Sequence, residues 1–354
     1  MPHQYKDLTQ GPIQQQLLRL SAPMFFGIFA VFFFGVTDAY FLGKLGASEL
    51  AAMGFVLPVL ALFMSFSRGM SEAAVSLVSR KLGAQDTGDA KLFSTSILTF
   101  SLLLALIFAA GGYLFKDDAL TFLGATGRVK SMASDYLTIW FAGMIFLVIP
   151  MVGNGFIRAA GDTRWPAMVM VFAAIGNILL DPVFIFGLGP APELGMKGAA
   201  VASILSRSFT LLASLYLVHY KYHLIGFSAW QWGKVFQIWK QFLKISLPAS
   251  LNFLIIPFTI ALVTKLMSKY SEFHVAGFGL AHQIETLSLI AFYSIAVGMS
   301  SFVGQNYGAG KTERLREVFD FATKACFLIG ILIVGVFSFL PSPSHLCFKM
   351  NRSL

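Results

Sequence analysis

Leu82-Gly83-Ala84-Gln85-Asp86-Thr87 (LGAQDT) returns 225 positions later as Tyr307-Gly308-Ala309-Gly310-Lys311-Thr312 (YGAGKT). The same offset carries Ser21 and Pro23 onto Ser246 and Pro248, Ala51 and Gly54 onto Ala276 and Gly279, and Val78 onto Val303, with no gap. Glycine and proline matches weigh most, because each fixes a backbone feature. The chain therefore reads as two copies of one design.

Outward from these loops, the sequence is a succession of long apolar segments parted by polar, Gly-rich or Pro-rich turns. A helix needs about 20 mostly apolar residues to cross a bilayer. Nine segments meet that length, near 17–42, 50–78, 91–115, 131–158, 165–187, 197–218, 239–268, 274–303 and 315–340. No region alternates apolar and polar residues as a membrane β-barrel does. The expected fold is all-α and polytopic, with about nine spanning helices. Composition agrees: of 354 residues 56% are hydrophobic and 12% charged, and the mean hydropathy is +0.73. Soluble domains carry about 25% charge, so a soluble α/β enzyme and a disordered chain are excluded. Cys326 and Cys347 make no disulfide framework.

The net charge is +9, but no continuous basic stripe exists, which speaks against a nucleic-acid partner. The Lys and Arg residues favour the turns on the N-terminal side of the bilayer. By the positive-inside rule the N-terminus is then cytoplasmic, in the cell membrane. Residues 1–16 are polar and offer no cleavable signal.

Six segments separate the two copies, so both enter the bilayer in the same direction, as a parallel repeat about an axis along the membrane normal. The expected organisation is a six-helix lobe over 1–220, a cytoplasmic link over 221–235, and a partial lobe of three helices over 236–340. The tail 341–354, PSPSHLCFKMNRSL, changes composition abruptly. The second lobe is expected to be truncated relative to the first.

Four acids fall inside the apolar segments: Asp38, Glu72, Asp181 and Glu285. A charge at the bilayer centre costs about 2.5–3.5 kcal/mol on insertion scales, so each needs a reason. Asp38 lies near the far end of the first segment. Asp181 lies about 16 residues, or about 24 Å, into the fifth, at a matching depth. Asn177 is one turn before Asp181 on the same face, and Tyr136 lies at a similar level. These four are expected to surround one cavity. Two carboxylates in a partly dry cavity cannot both ionise cheaply, so one holds a proton or a sodium ion shares the site with Asp38 and Asp181. Arg68 and Glu72, four apart, read as an intrahelical ion pair. His282, Gln283 and Glu285 fall mid-membrane and are candidates for a substrate cavity. Pro23 should bend the first helix. No HExxH or Walker A motif is present, and an enzyme is not expected.

SAP at 21–23, VTDAYFLGKLG at 36–46, GDTRWP at 161–166, GNILLDP at 176–182, SLPAS at 246–250 and GQNYGAGK at 304–311 together resemble the multidrug and toxic compound extrusion (MATE) transporters, and most closely their DinF-like branch. The resemblance implies two six-helix lobes that alternate access to a central cavity. It implies antiport of organic, often cationic or amphipathic compounds against protons or sodium, by a monomer that needs no cofactor beyond the coupling ion. It assigns cation coupling to Asp38, Asn177 and Asp181 and adds Asn154. Where the family often has a Thr in the sixth helix, this chain has Ala199 and Ala200, with Ser203 as the nearest hydroxyl. The alternatives are a lipid-linked precursor flippase of the wider superfamily and an inactive fragment.

Overall fold

The computed structural model describes residues 5–189, 191–227, 230–267, 269–270 and 272–339. The tail 341–354, with Cys347, lies outside them. The helices are α1 (Ile13–Leu45), α2 (Ala47–Gly83), α3 (Thr87–Phe122), α4 (Gly127–Ala142), α5 (Met144–Ala159), α6 (Arg164–Phe186), α7 (Met196–Tyr216), α8 (Trp232–Met267), α9 (Glu272–Gly308) and α10 (Thr312–Phe339). One wide helical turn, Leu217–Lys221, continues α7. Among the described residues eight helices are long and apolar enough to cross a membrane. The pair α4 and α5 makes a ninth span, bent by 49°. The fourth apolar segment is thus broken rather than straight. The break falls at Gly143, where a Cβ would collide with the Ile204 side chain on α7. Pro23 does not interrupt α1, which runs through it as one helix.

The repeat is visible in the helix ends. The first and last residues of α9 stand 225 positions after those of α2, and α10 starts 225 after α3. The loops share a backbone kink as well: Gln85 and its counterpart Gly310 both take a left-handed conformation, at φ 59° and 70°. Asp86 then caps α3 by accepting the Asp89 N–H at 2.9 Å.

The halves meet through equivalent pairs. Helix α2 packs on α8 and α9, and α1 packs on α9. At the loop end of α2, Gly83 lies against the Gln305 backbone, and its counterpart Gly308 lies against the Arg80 backbone. Gln305 is itself the counterpart of Arg80. Any side chain at either glycine would overlap a main-chain carbonyl, so only Gly permits this crossing. The matched glycines of the two loops therefore mark one two-fold contact made twice.

Residues Tyr5–Gly11 lie across the same face. Leu8, Ile13, Leu17 and Leu20 form a small apolar core with Ile295, Phe302, Val318 and Ala322 of α9 and α10. The larger core fills the first half and extends onto Val235, Ile238 and Phe242 of α8.

Candidate functional site

Asp38 on α1, Asn177 and Asp181 on α6, Tyr136 on α4 and Ser203 on α7 are all buried in the first half. The amide of Asn177, turned so that both its ends are satisfied, donates to Asp181 Oδ2 at 2.9 Å and accepts from the Ser203 N–H at 3.1 Å. Asp38 lies within electrostatic reach of Asp181, and both reach the Tyr136 hydroxyl. The Ser203 side chain meets that hydroxyl, and the Arg207 guanidinium is within electrostatic reach of it. Asp38 Oδ1 is buried with no hydrogen-bond partner among the described residues. A buried lone carboxylate oxygen beside a second carboxylate is an acceptor waiting for a positive partner. The four groups matched by depth do therefore come together, with Ser203 as the link between α6 and α7.

Asn154 stands apart. It lies on α5, and its Oδ1 is buried without a partner among the described residues. No hydrogen bond joins it to the Asp38–Asp181 group. His282 and Glu285 face each other at 3.3 Å on α9, with Glu285 and Gln283 exposed.

Glu72 departs from the expected pairing with Arg68. It accepts from Arg158 of α5 at 2.9 Å and from the Ser300 hydroxyl of α9 at 2.9 Å. Arg158 is completed by the Ser71 hydroxyl at 3.0 Å. Arg158 is buried, and a second, more enclosed partner outcompetes a pair made along one helix surface.

Below Glu72 the halves are laced together. Gln305 accepts the Leu8 N–H at 3.0 Å and donates to the Ala159 carbonyl at 2.8 Å. Asn306 donates to the Leu8 carbonyl, Lys311 to the Thr9 carbonyl and Arg314 to the Gly11 carbonyl. On the other half Lys6 pairs with Asp162 at 2.7 Å, the Lys6 N–H bonds the Ala160 carbonyl, and the Tyr5 hydroxyl donates to the Tyr222 carbonyl. Burial would push the Asp162 carboxyl up, but the Lys6 ammonium, the Arg164 N–H and the Tyr222 hydroxyl outweigh it and hold it below the usual carboxylate range. The N-terminal segment is thus a strap across both halves. Among the described residues no hydrogen bond between α2 and the second half lies beyond Ser65, which meets the Phe253 carbonyl. Among the described residues the hydrogen bonds between the halves are gathered toward the N-terminal face.

The MatE family model matches residues 23–183 and 248–353. The chain belongs to the MatE (MATE) family. It is 32% identical over 344 residues to a protein of Shewanella oneidensis named FAD transporter, covering 97% of this chain and 76% of that one. It is 26% identical to the multidrug export protein MepA of Staphylococcus aureus, covering 93% and 74%. Among solved structures, one described as the outward-facing conformation of a multidrug resistance MATE family transporter superposes with a TM-score of 0.85 at 29% identity, covering 93% of this chain and 72% of that one. The chain thus spans about three quarters of the length of these relatives. It is a multi-pass membrane protein of a transporter family, and its relatives are transporters rather than enzymes.

The MATE signature GQNYGAGK takes its meaning from the strap. Gln305 and Asn306 are buried amides at a helix end, and the main chain of Leu8 satisfies both. Two adjacent amides closing an apolar helix were a signal for such a partner. Nothing in the sequence said that the partner is the N-terminus, nearly 300 residues away.

Proposed function

We propose that this MATE chain exports organic compounds in exchange for protons or sodium ions, by rocking of the two halves about the central cleft. The observation that carries the reading is the buried Asp38–Asp181 pair with its unpartnered Asp38 oxygen. A proton on either acid would remove the like-charge repulsion, and a sodium ion would find oxygen ligands in Asp38 and Asp181. Binding drives a conformational change only where the two states differ in affinity for the ion. The site lies between α1, α4, α6 and α7, so an ion that draws α1 toward α6 alters how α1 meets α9. The gathering of the inter-half hydrogen bonds at the N-terminal strap supports a cytoplasmic seal and an outward-facing state. Pro23 leaves α1 short of one backbone bond between strap and site, where bending is cheapest.

The cargo would be an organic cation or amphipathic compound able to meet Glu285, His282 and Gln283 on the cleft wall. A second reading follows the relative named for FAD, with an anionic cargo, and Arg68 favours it. The test is counter-transport by the purified chain in liposomes. An imposed proton or sodium gradient should drive ethidium or FAD, and Asp38→Asn or Asp181→Asn should cut that uptake at least tenfold while passive binding persists. Undiminished gradient-driven transport by both variants would end the proposal.

A further inference from the structure

A cavity of about 320 Å³ lies at the end of the first half opposite the strap. Its walls include Leu45 at the end of α1, Glu49 on α2, Met132 and Asp135 on α4, and Glu193 and Lys197 on either side of the start of α7. Three of these helices also build the acid site. Leu45 stands seven residues after Asp38, Met132 four before Tyr136, and Met196, another wall residue, seven before Ser203. At 3.6 residues per turn, separations of four and seven keep to one helix face. The faces that surround the acids therefore continue into the walls of the cavity. The rise between them is short, about 6–10 Å at 1.5 Å per residue.

A single apolar layer separates cavity from acids. One turn from Asp38, Asp181, Tyr136 and Ser203, on the cavity side, stand Leu42, Ile185, Ala133 and Ala199, each fully buried. Two of the four carry only a methyl group, so Leu42 and Ile185 are the members bulky enough to close the layer. A dry constriction of this kind stops ions until it is wetted.

The mouth has the charge to attract a cation. Three carboxylates, Glu49, Asp135 and Glu193, line the cavity against one ammonium, Lys197. Lys197 pairs with Asp135 at 3.0 Å, and Arg128 reaches Glu49 at 3.8 Å. Glu193 is exposed and makes no ion pair among the described residues. Among those residues no group of three acids, His or Cys could hold a metal ion, so the mouth concentrates cations without retaining one. Beyond the layer, the buried Asp38 Oδ1 has no partner among the described residues.

We propose that a small cation reaches Asp38 and Asp181 through this vestibule, inside the first half, with Leu42 and Ile185 as its gate and no passage between the halves. The inference rests on reading the two acids as an ion site and supplies the route to it. Ion and cargo then use separate entrances, and a bound cargo does not shut the ion out.

Silver ion gives the test, since it is a monovalent cation that records its arrival by replacing the proton of a thiol. Ser203→Cys places that thiol at the acid site, in a chain carrying Cys326→Ser and Cys347→Ser. The rate of modification is read by intact mass on the purified chain in nanodiscs, in nitrate buffer, with neither gradient nor cargo. Glu193→Lys should slow it at least threefold at low ionic strength. That difference should vanish at about 1 M salt, where the screening length falls to about 3 Å. Glu285→Lys reverses an exposed carboxylate in the second half and should leave the rate unchanged. Leu42→Ala should speed modification at least tenfold. An unchanged rate in Glu193→Lys, or a slowing as large in Glu285→Lys, would overturn the route. Should Leu42→Ala fail to fold, Glu193→Lys still decides, because its side chain is exposed. The readout involves no transport. Absence of gradient-driven transport together with the Glu193→Lys effect would end the exporter reading and leave the route standing. Transport without that effect would do the reverse.

Discussion

Asp162 shows what one side chain contributes to the strap. Its carboxyl is held below its ordinary range, so the stability it adds is present above the unfolded value and fades as pH falls through the folded one. Asp162→Asn should therefore lower the melting temperature near neutral pH. The cost is about 1 kcal/mol, since Lys6 is partly exposed. The gap from wild type should close as pH drops below the usual carboxylate range, and a pH series of thermal unfolding curves reads it directly. The residue scale was only partly legible in the sequence. Asp38, Asn177, Asp181 and Tyr136 could be grouped because depth along a helix follows from counting at 1.5 Å per residue. Glu72 could not be assigned, because its partners Arg158 and Ser300 are set by helix packing and not by spacing. Asn154 matched a family position, yet no hydrogen bond ties it to that group.

The helices themselves obey simple chemistry. Apolar length located all nine spans, and polar turns let them run several residues past the expected ends. The break at Gly143 escaped the hydropathy reading, since a glycine within an apolar run leaves hydropathy high while permitting a bend. Two predictions belong to this scale. Gln85 sits in a left-handed conformation that its counterpart Gly310 takes without strain. Gln85→Gly should raise stability by about 1 kcal/mol, seen as a higher melting temperature. Gly83→Val should wedge α2 from α9. Cysteine labelling of the Gln305 region from the N-terminal face should then rise severalfold. Gly54→Ala serves as the control, because open space surrounds that glycine, and labelling there should stay as in the unaltered chain.

Across the whole molecule, the repeat announced a two-fold arrangement before any coordinate did, because Gly83 and Gly308 are required by one crossing made twice. The lacing of that crossing was hidden, since strap and amides lie at opposite ends of the chain. Ser300→Ala removes a bond between the halves worth about 1 kcal/mol, so it should shift the closed-to-open ratio about fivefold. Distance measurements between labels on α3 and α10 would report the shift. An unchanged distribution would mean that the Glu72–Ser300 bond does not set the balance between closed and open states.

Helix α1 joins Asp38 to the strap without interruption. From Ile13 to Asp38 it makes a rod about 38 Å long. A tilt of about 5° at the acid swings the far end by about 3 Å, more than a hydrogen bond survives. The strap Tyr5–Gly11 thus sits at the far end of a long lever, and a probe on it would magnify any small tilt of α1 at Asp38.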